Sequence, residues 1–221
     1  MSAPDLSQPG PWQHLFAHAM RLMSHLESQV DNPGWTFGGG TVLMLRIGHR
    51  QSRDIDLFIP DPQMLGYLSP RLSEVAEAIT TDYEENAEFI KLYLPHGEID
   101  VVVGESLTAA PFDLVSHGGR DIRVETSAEI LAKKLWHRGD RGAARDLFDL
   151  CAVAQHEPEA LAQAAPFFSR HAAQFIRRLQ DRADIARREF AAIDAMGFNR
   201  TFDECLGQAR DILGPCIRPR G

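Results

Sequence analysis

The sequence predicts an α+β fold: a small mixed β-sheet with helices over residues 1–125, then an all-helical half over residues 126–221. Two observations carry this. Between residues 53 and 124, short alternating or β-rich runs are punctuated by Pro- and Gly-containing turns, the mark of strands and hairpins. From residue 126 to Leu213 the chain turns Ala-, Leu-, Arg- and Glu-rich, with breaks at Pro158, Pro166 and near Gly197, the mark of a series of helices.

Each element has a local reason. Residues 11–30 place Leu15, Ala19, Leu22, Leu26 and Val30 at helical spacing, and Asp31-Asn32-Pro33-Gly34 stops that helix. Residues 41–47 are apolar enough for a short buried helix, ended by Gly48. Residues 53–59 alternate as a strand does, and Pro60-Asp61-Pro62 closes it. Residues 69–79 read as a further helix. Residues 89–94 and 99–103 are β-rich and joined by Pro95-His96-Gly97-Glu98, a hairpin. Residues 112–116 and 121–124 flank His117-Gly118-Gly119-Arg120, a second hairpin. Thr126-Ser127-Ala128-Glu129 has the form of a capping box and opens a helix to about His137.

Bulk properties narrow the function. A hydrophobic fraction of 44% and a charged fraction of 24% over 221 residues describe an ordinary globular chain with room for a sizeable core. Disorder is expected only at the ends, MSAPDLSQPG and GPCIRPRG. No run is long and apolar enough for a membrane span, and the N-terminus lacks the pattern of a signal peptide, so a cytoplasmic protein is expected. Cys151, Cys205 and Cys216 form neither a disulfide framework nor a zinc motif. The net charge of −8 argues against a general nucleic-acid coat. Between Phe167 and Phe190, however, six arginines face three acids, a surplus of three positive charges that leaves −11 elsewhere.

The stretch FGGGTVLMLRIGHRQSRDIDLF, residues 37–58, carries the chemistry. Residues two apart on a strand share a face, so Asp54 and Asp56 project together while Ile55 and Leu57 face a core. Two like charges there need a countercharge, and a pair of Mg²⁺ ions supplies one with the oxygen ligands hard cations prefer. Asp54 and Asp56 at the exposed end of an edge strand is the plainer alternative. Upstream stands a glycine loop, Gly39-Gly40-Thr41, leading into a helix, and the thirteen residues from Thr41 to Arg53 separate its glycines from Asp54. Such a loop lets phosphate approach the backbone and the helix N-terminus, and Thr41 adds a hydroxyl. Asp100, between apolar residues on the Glu98–Val103 run, is a third carboxylate that strand pairing would bring beside the first two. Three carboxylates around two metals suit in-line nucleotidyl transfer, with Asp100 nearest the attacking hydroxyl as ligand or base.

With these residues in place, the chain resembles the nucleotidyltransferase superfamily typified by DNA polymerase beta, and within it the AbiEii abortive-infection toxin group. The resemblance covers G-G-T, the turn of Arg46, Gly48, His49, Arg50 and Ser52, and D-I-D-L-F. It resumes in Glu129-Ile-Leu-Ala-Lys-Lys134-Leu and in Arg145-Asp146-Leu-Phe-Asp149-Leu. It implies a nucleotidyltransferase-type sheet domain whose cleft is closed by the helical half. It implies that Gly39, Gly40 and Thr41 hold nucleotide phosphates, that Asp54, Asp56 and Asp100 bind metal, and that Lys134 reaches the triphosphate. It implies Mg²⁺ as cofactor, a nucleoside triphosphate as substrate and, in several members, a separate antitoxin.

Other residues carry less. Arg50 is a further phosphate candidate through its permanent forked charge, and Ser52 a nucleotide-side residue that more simply orders the turn. An Arg145–Asp149 ion pair four apart on a helix is expected, and Asp146 divides between helix docking and the site. Trp35 and Phe37 suit core packing better than base stacking. His14, His18 and His25 share a helical face without the context of a zinc site. The acceptor is open: an RNA 3′ end (a tRNA above all, gripped by the C-terminal arginines), a protein hydroxyl, or a small molecule. The alternatives are a nucleotide-binding module without turnover, acting through a partner, and an antibiotic-modifying transferase.

Overall fold

The computed structural model describes residues 3–217. In chain order the helices are α1 (Trp12–Gln29), α2 (Gly39–Ile47), the single turns α3 (Leu65–Leu68) and α4 (Glu74–Glu77), α5 (Ser127–Arg138), α6 (Ala144–His156), α7 (Pro158–Ala164), α8 (Ala172–Asp181), α9 (Ala183–Ala191) and α10 (Phe202–Leu213). The strands are β1 (Thr36–Gly38), β2 (Ile55–Ile59), β3 (Tyr83–Glu85), β4 (Phe89–Leu94), β5 (Gly97–Val103), β6 (Phe112–His117) and β7 (Arg120–Glu125). They form one mixed sheet in the order β3-β4-β5-β2-β1-β7-β6. The β2–β5 and β1–β7 pairs are parallel and the rest antiparallel.

Alternation decides what each face does. Ile55, Leu57, Ile59, Ile90, Leu92, Ile99 and Val101 are fully buried on one face, which packs against α1 through its stripe of Trp12, Leu15, Phe16, Ala19, Leu22, Met23 and Leu26. The other face carries Asp56, Phe58, Asp100, Val102 and Lys91, all only half-buried. Helix α2 lies over part of this second face, and Lys133 of α5 reaches the Phe58 ring on it. Phe148, Phe190, Phe198 and Phe202 pack edge to face as the aromatic centre of the helical half.

Several expectations change. Of the helix expected over residues 69–79 only the single turn α4 forms, with extended backbone at Ser69, just after α3, and at Ser73. Pro70 drives Ser69 out of the helical region, with ψ 128°. Thr126 caps α5 by accepting the Glu129 N–H, but the Glu129 carboxylate does not return to close a box. It accepts the N–H groups of Leu107 and Thr108 instead, pinning the loop after β5. A full capping box stands at Thr201 and Glu204. At the N-terminal end, residues 3–10 form turns and irregular backbone without helix or strand, yet Leu6 is buried. Gly214–Cys216 form a 3-10 turn, and the remaining end, residues 218–221, lies outside the described residues. Trp35 and Phe37 are core residues, Phe37 stacking on Trp12.

Candidate active site

The parallel pairing of β2 with β5 sets Asp56 opposite Asp100, and the β4–β5 hairpin sets Asp100 opposite Lys91. Gly38 of β1 stands on the other side of Asp56. One row across four strands therefore reads Lys91, Asp100, Asp56, Gly38. Like charges directly opposite each other destabilise a sheet, and the surroundings of the row show what offsets them. Lys91 Nζ lies 3.2 Å from Asp100 Oδ2 and 2.6 Å from Glu98 Oε2. Asp56 accepts the backbone N–H of Gly40 at the start of α2, where the helix dipole favours an anion. Asp54, one residue before β2, accepts the Glu98 N–H at 3.2 Å.

The glycine loop serves this row. Gly39 has φ +74°, a left-handed conformation, and a Cβ there would sit 1.9 Å from Asp56 Oδ2. Thr41 is buried; its hydroxyl faces the Asp54 carbonyl at 2.6 Å and Ser52 Oγ at 3.0 Å. Gly40 and Thr41, expected to face phosphate, thus commit the Gly40 N–H and the Thr41 hydroxyl to placing the two aspartates.

Charge on the row is under-compensated. Burial and then the neighbouring Asp56 charge push the Asp100 carboxyl up to about 6. Burial raises Asp56 as well, against the lowering pull of Arg138 and Lys134. Oδ1 of Asp100 is buried with no hydrogen-bond partner. Among the described residues no three His, Cys, Asp or Glu side chains form a ready-made metal cage. Yet the all-oxygen donor set and the unpartnered Oδ1 fit a hard divalent cation.

Beside Asp54 opens a cleft of about 920 Å³ between the sheet half and the helical half. Its walls include Arg50, Arg53, Arg138, Arg141 and Arg145, with Ser52, Glu189 and Asp194. Arg50 and Arg138 are held by aspartates, whereas Arg53, Arg141 and Arg145 have no ion-pair partner among the described residues.

A family model described as the nucleotidyl transferase AbiEii toxin of a type IV toxin–antitoxin system matches residues 21–218. The chain belongs to this AbiEii nucleotidyltransferase toxin family. Among solved structures, an H. pylori protein described as a candidate nucleotidyltransferase is similar at TM-score 0.51 and 16% identity, covering 92% of this chain and 95% of that one. The antibiotic-resistance factor ANT(2'')-Ia is similar at TM-score 0.50 and 16% identity, covering 79% of this chain and 99% of that one. Both share its fold. Among curated proteins, none matches the chain by sequence.

In this AbiEii-family nucleotidyltransferase, Asp149 of α6 is the hub that ties the helices to the site. It accepts from His49 Nε2 at 2.8 Å, from Arg50 Nε at 2.7 Å and Nη2 at 3.0 Å, and from Lys134 Nζ at 2.6 Å. Burial works to raise its carboxyl, but the Arg50 and Lys134 charges overcome that and hold it well below the ordinary range. Asp146 joins Lys134 at 2.9 Å and Arg138 at 2.7 Å. The expected Arg145–Asp149 pair is absent among the described residues, because Asp149 points inward to Arg50, Lys134 and the His49 ring while Arg145 is exposed in the cleft. Arg50 is engaged bidentately by Asp149 rather than projecting freely. Lys134 is buried between two aspartates, and its Coulomb influence reaches Asp56.

Lys133 is not a solvated neighbour either. It is buried against Glu125 and Glu129 with its ammonium 4.0 Å from the centre of the Phe58 ring. The backbone of residues 194–196 pairs with residues 49–51, so the segment after α9 also braces the site. The C-terminal arginines expected to grip RNA are partly engaged: Arg187 pairs with Asp184 and Asp203, and Arg182 with Glu189. Sequence reasoning missed Lys91, Arg53, Arg138 and Arg141. The lysine stood in a recognised strand, nine residues before Asp100, but only the hairpin register joins the two.

Proposed function

We propose that the enzyme transfers a nucleoside monophosphate from a nucleoside triphosphate to a hydroxyl of RNA, with a tRNA 3′ end as the leading acceptor, under the control of a cognate antitoxin. The carrying observation is the register match of Asp56 with Asp100 on adjacent parallel strands beside an arginine-lined cleft. Asp54, Asp56 and Asp100 would hold two Mg²⁺ ions, which when bound neutralise the phosphates and activate the acceptor oxygen. Residues 126–221 act as the unit that closes over the catalytic unit of residues 1–125, and they bring Lys134, Arg138, Arg141 and Arg145 to the triphosphate.

In the reaction the acceptor oxygen bonds to the α-phosphorus as the bond to the β-phosphate oxygen breaks, and pyrophosphate leaves. Asp100 would stand nearest the attacking hydroxyl, as metal ligand or as the base that takes its proton. Arg53, Arg141 and Arg145 give the departing pyrophosphate and the acceptor backbone a positive wall. Gly39, Gly40, Thr41 and Ser52 hold the aspartate turn, and the backbone of the α2 N-terminus faces the phosphates. Arg50 stabilises that turn through Asp149 while lining the phosphate side.

The arginine wall favours a polyanionic acceptor over the cationic acceptors of an antibiotic-modifying transferase. Incubation with each α-labelled triphosphate, Mg²⁺ and total RNA should give nuclease-sensitive labelled product, lost in Asp56→Asn. A protease-sensitive, nuclease-resistant product would assign a protein acceptor. Absence of any transfer, with triphosphate binding intact, would favour the binding-module reading.

A further inference from the structure

The residue that faces Asp100 from β4 bears on the order in which metal and nucleotide arrive. Lys91 sits opposite Asp100 in the β4–β5 register. Its ammonium bridges Oδ2 of Asp100 and Oε2 of Glu98, so it is anchored from two sides. Its side chain is three-quarters buried, as is that of Asp100. On the far side of Asp100 comes Asp56, whose own compensation arrives from α2, Arg138 and Lys134. Among the described residues, Lys91 is the cation placed directly against Asp100 from the β4 side of the row. It holds Oδ2 of Asp100 and leaves Oδ1, buried and unpartnered, as that carboxylate's available oxygen.

We propose that Lys91 is a resident countercharge that weakens the binding of a bare divalent ion to the carboxylate row, so that metal enters with the triphosphate rather than ahead of it. The inference rests on the metal-assisted reading above. Physically, a fixed positive charge a few ångströms from the ion opposes it, while the triphosphate adds four negative charges and further oxygen ligands that reverse the balance. The fixed charge also offsets part of the repulsion between two directly opposed aspartates. An enzyme arranged this way does not collect metal idly; its site is completed by substrate. Lys91 is thus a positioning residue, acting through Asp100.

The test is a titration of the full chain with Mn²⁺, with and without a triphosphate whose α,β-bridge is a non-hydrolysable methylene, comparing wild type with Lys91→Met and Lys91→Gln. Both variants should bind Mn²⁺ alone about tenfold more tightly than wild type or better, the size expected when one like charge is removed at short range in a partly buried site. The stimulation of Mn²⁺ binding by the triphosphate should shrink correspondingly, and Lys91→Arg should behave as wild type. In EDTA the two variants should melt lower than wild type, and Mn²⁺ should restore them. Unchanged or weaker Mn²⁺ binding in both variants overturns the inference, since it would make Lys91 a support for Asp100 and no more. Wild type that binds Mn²⁺ equally with and without triphosphate overturns it too, while leaving the metal site standing. Failure of every form to bind Mn²⁺ even with triphosphate would instead bring down the metal-assisted reading itself.

Discussion

Replacing Asp149 with Asn removes one negative charge from a fully buried position that neutralises two cations from different parts of the chain. Four contacts between 2.6 and 3.0 Å converge on that carboxylate. Lys134 keeps Asp146 as a partner, but Arg50 loses its only carboxylate within 4 Å among the described residues. The cost is that of leaving a buried charge uncompensated, about 3–5 kcal/mol, and it does not sum over the four contacts because they share one group. For a chain of this length it corresponds to a fall in Tm of roughly 10 °C. Urea titration followed by far-ultraviolet circular dichroism measures it as a shift of midpoint at unchanged slope. Acid gives an independent check. A carboxyl held well below its ordinary value of 3.8 contributes its stability in full above that pH and loses it as the pH falls through the folded-state value. Wild type and Asp149→Asn should therefore converge towards the acid limit. A loss below about 1 kcal/mol, or a gap that widens as the pH falls, would refute the hub as described.

Gly39→Ala should abolish transfer, since the left-handed φ and the collision with Asp56 act together, whereas Gly34→Ala, at φ +69° with its Cβ 3.5 Å from Pro60, should cost about 1–2 kcal/mol of strain and keep activity; transfer rates and melts of the pair separate the two effects. Asp100→Asn should stabilise the metal-free protein at pH 8. A carboxyl raised to about 6 burdens the fold when ionised, so the gain, at most about 3 kcal/mol, should vanish as the pH falls to 4; melts in EDTA at the two pH values check it. Arg141→Ala with Arg145→Ala should leave Tm unchanged and flatten the salt dependence of RNA binding by about 0.7 log units per lost contact on a single strand, while Arg187→Ala, already paired to Asp203, should change it little.

What the sequence revealed and what it hid divide by range. Alternation in residues 53–59 and 99–103, the Gly48 stop and the two hairpins are local signals, and each is found where expected. β1 and β3 are three residues long, too short for any periodicity to declare itself. Asp54 and Asp56 advertised themselves by spacing, and Asp100 by its place in an apolar strand. Their partners did not. Lys134 and Asp149 are 15 residues apart, and Arg50 and Asp149 are 99 apart. An i,i+4 rule pointed Asp149 at Arg145 because nothing local could reveal the arginine arriving from the turn before β2.

The buried lysines show why a helix position alone did not settle that question. Adjacent residues on a helix point about 100° apart, so Lys133 and Lys134 face different neighbours. Here α5 is packed on two sides. Lys134 meets α6 through Asp146 and Asp149, and Lys133 meets the sheet through Glu125 and Phe58. Each lysine is matched by carboxylates that come from outside its own helical turn, so neither is a bare charge in the core. The consequence reaches the chemistry. Glu125 also accepts the Thr36 hydroxyl, and its Oε2 occupies the space that a side chain at Gly38 would need. Lys133 thus stabilises the end of the row that begins at Lys91, while Lys134 tunes Asp56 from above. One helix sets the electrostatics of the carboxylates from two directions, and the glycines at 38 and 39 are what make room for it to do so.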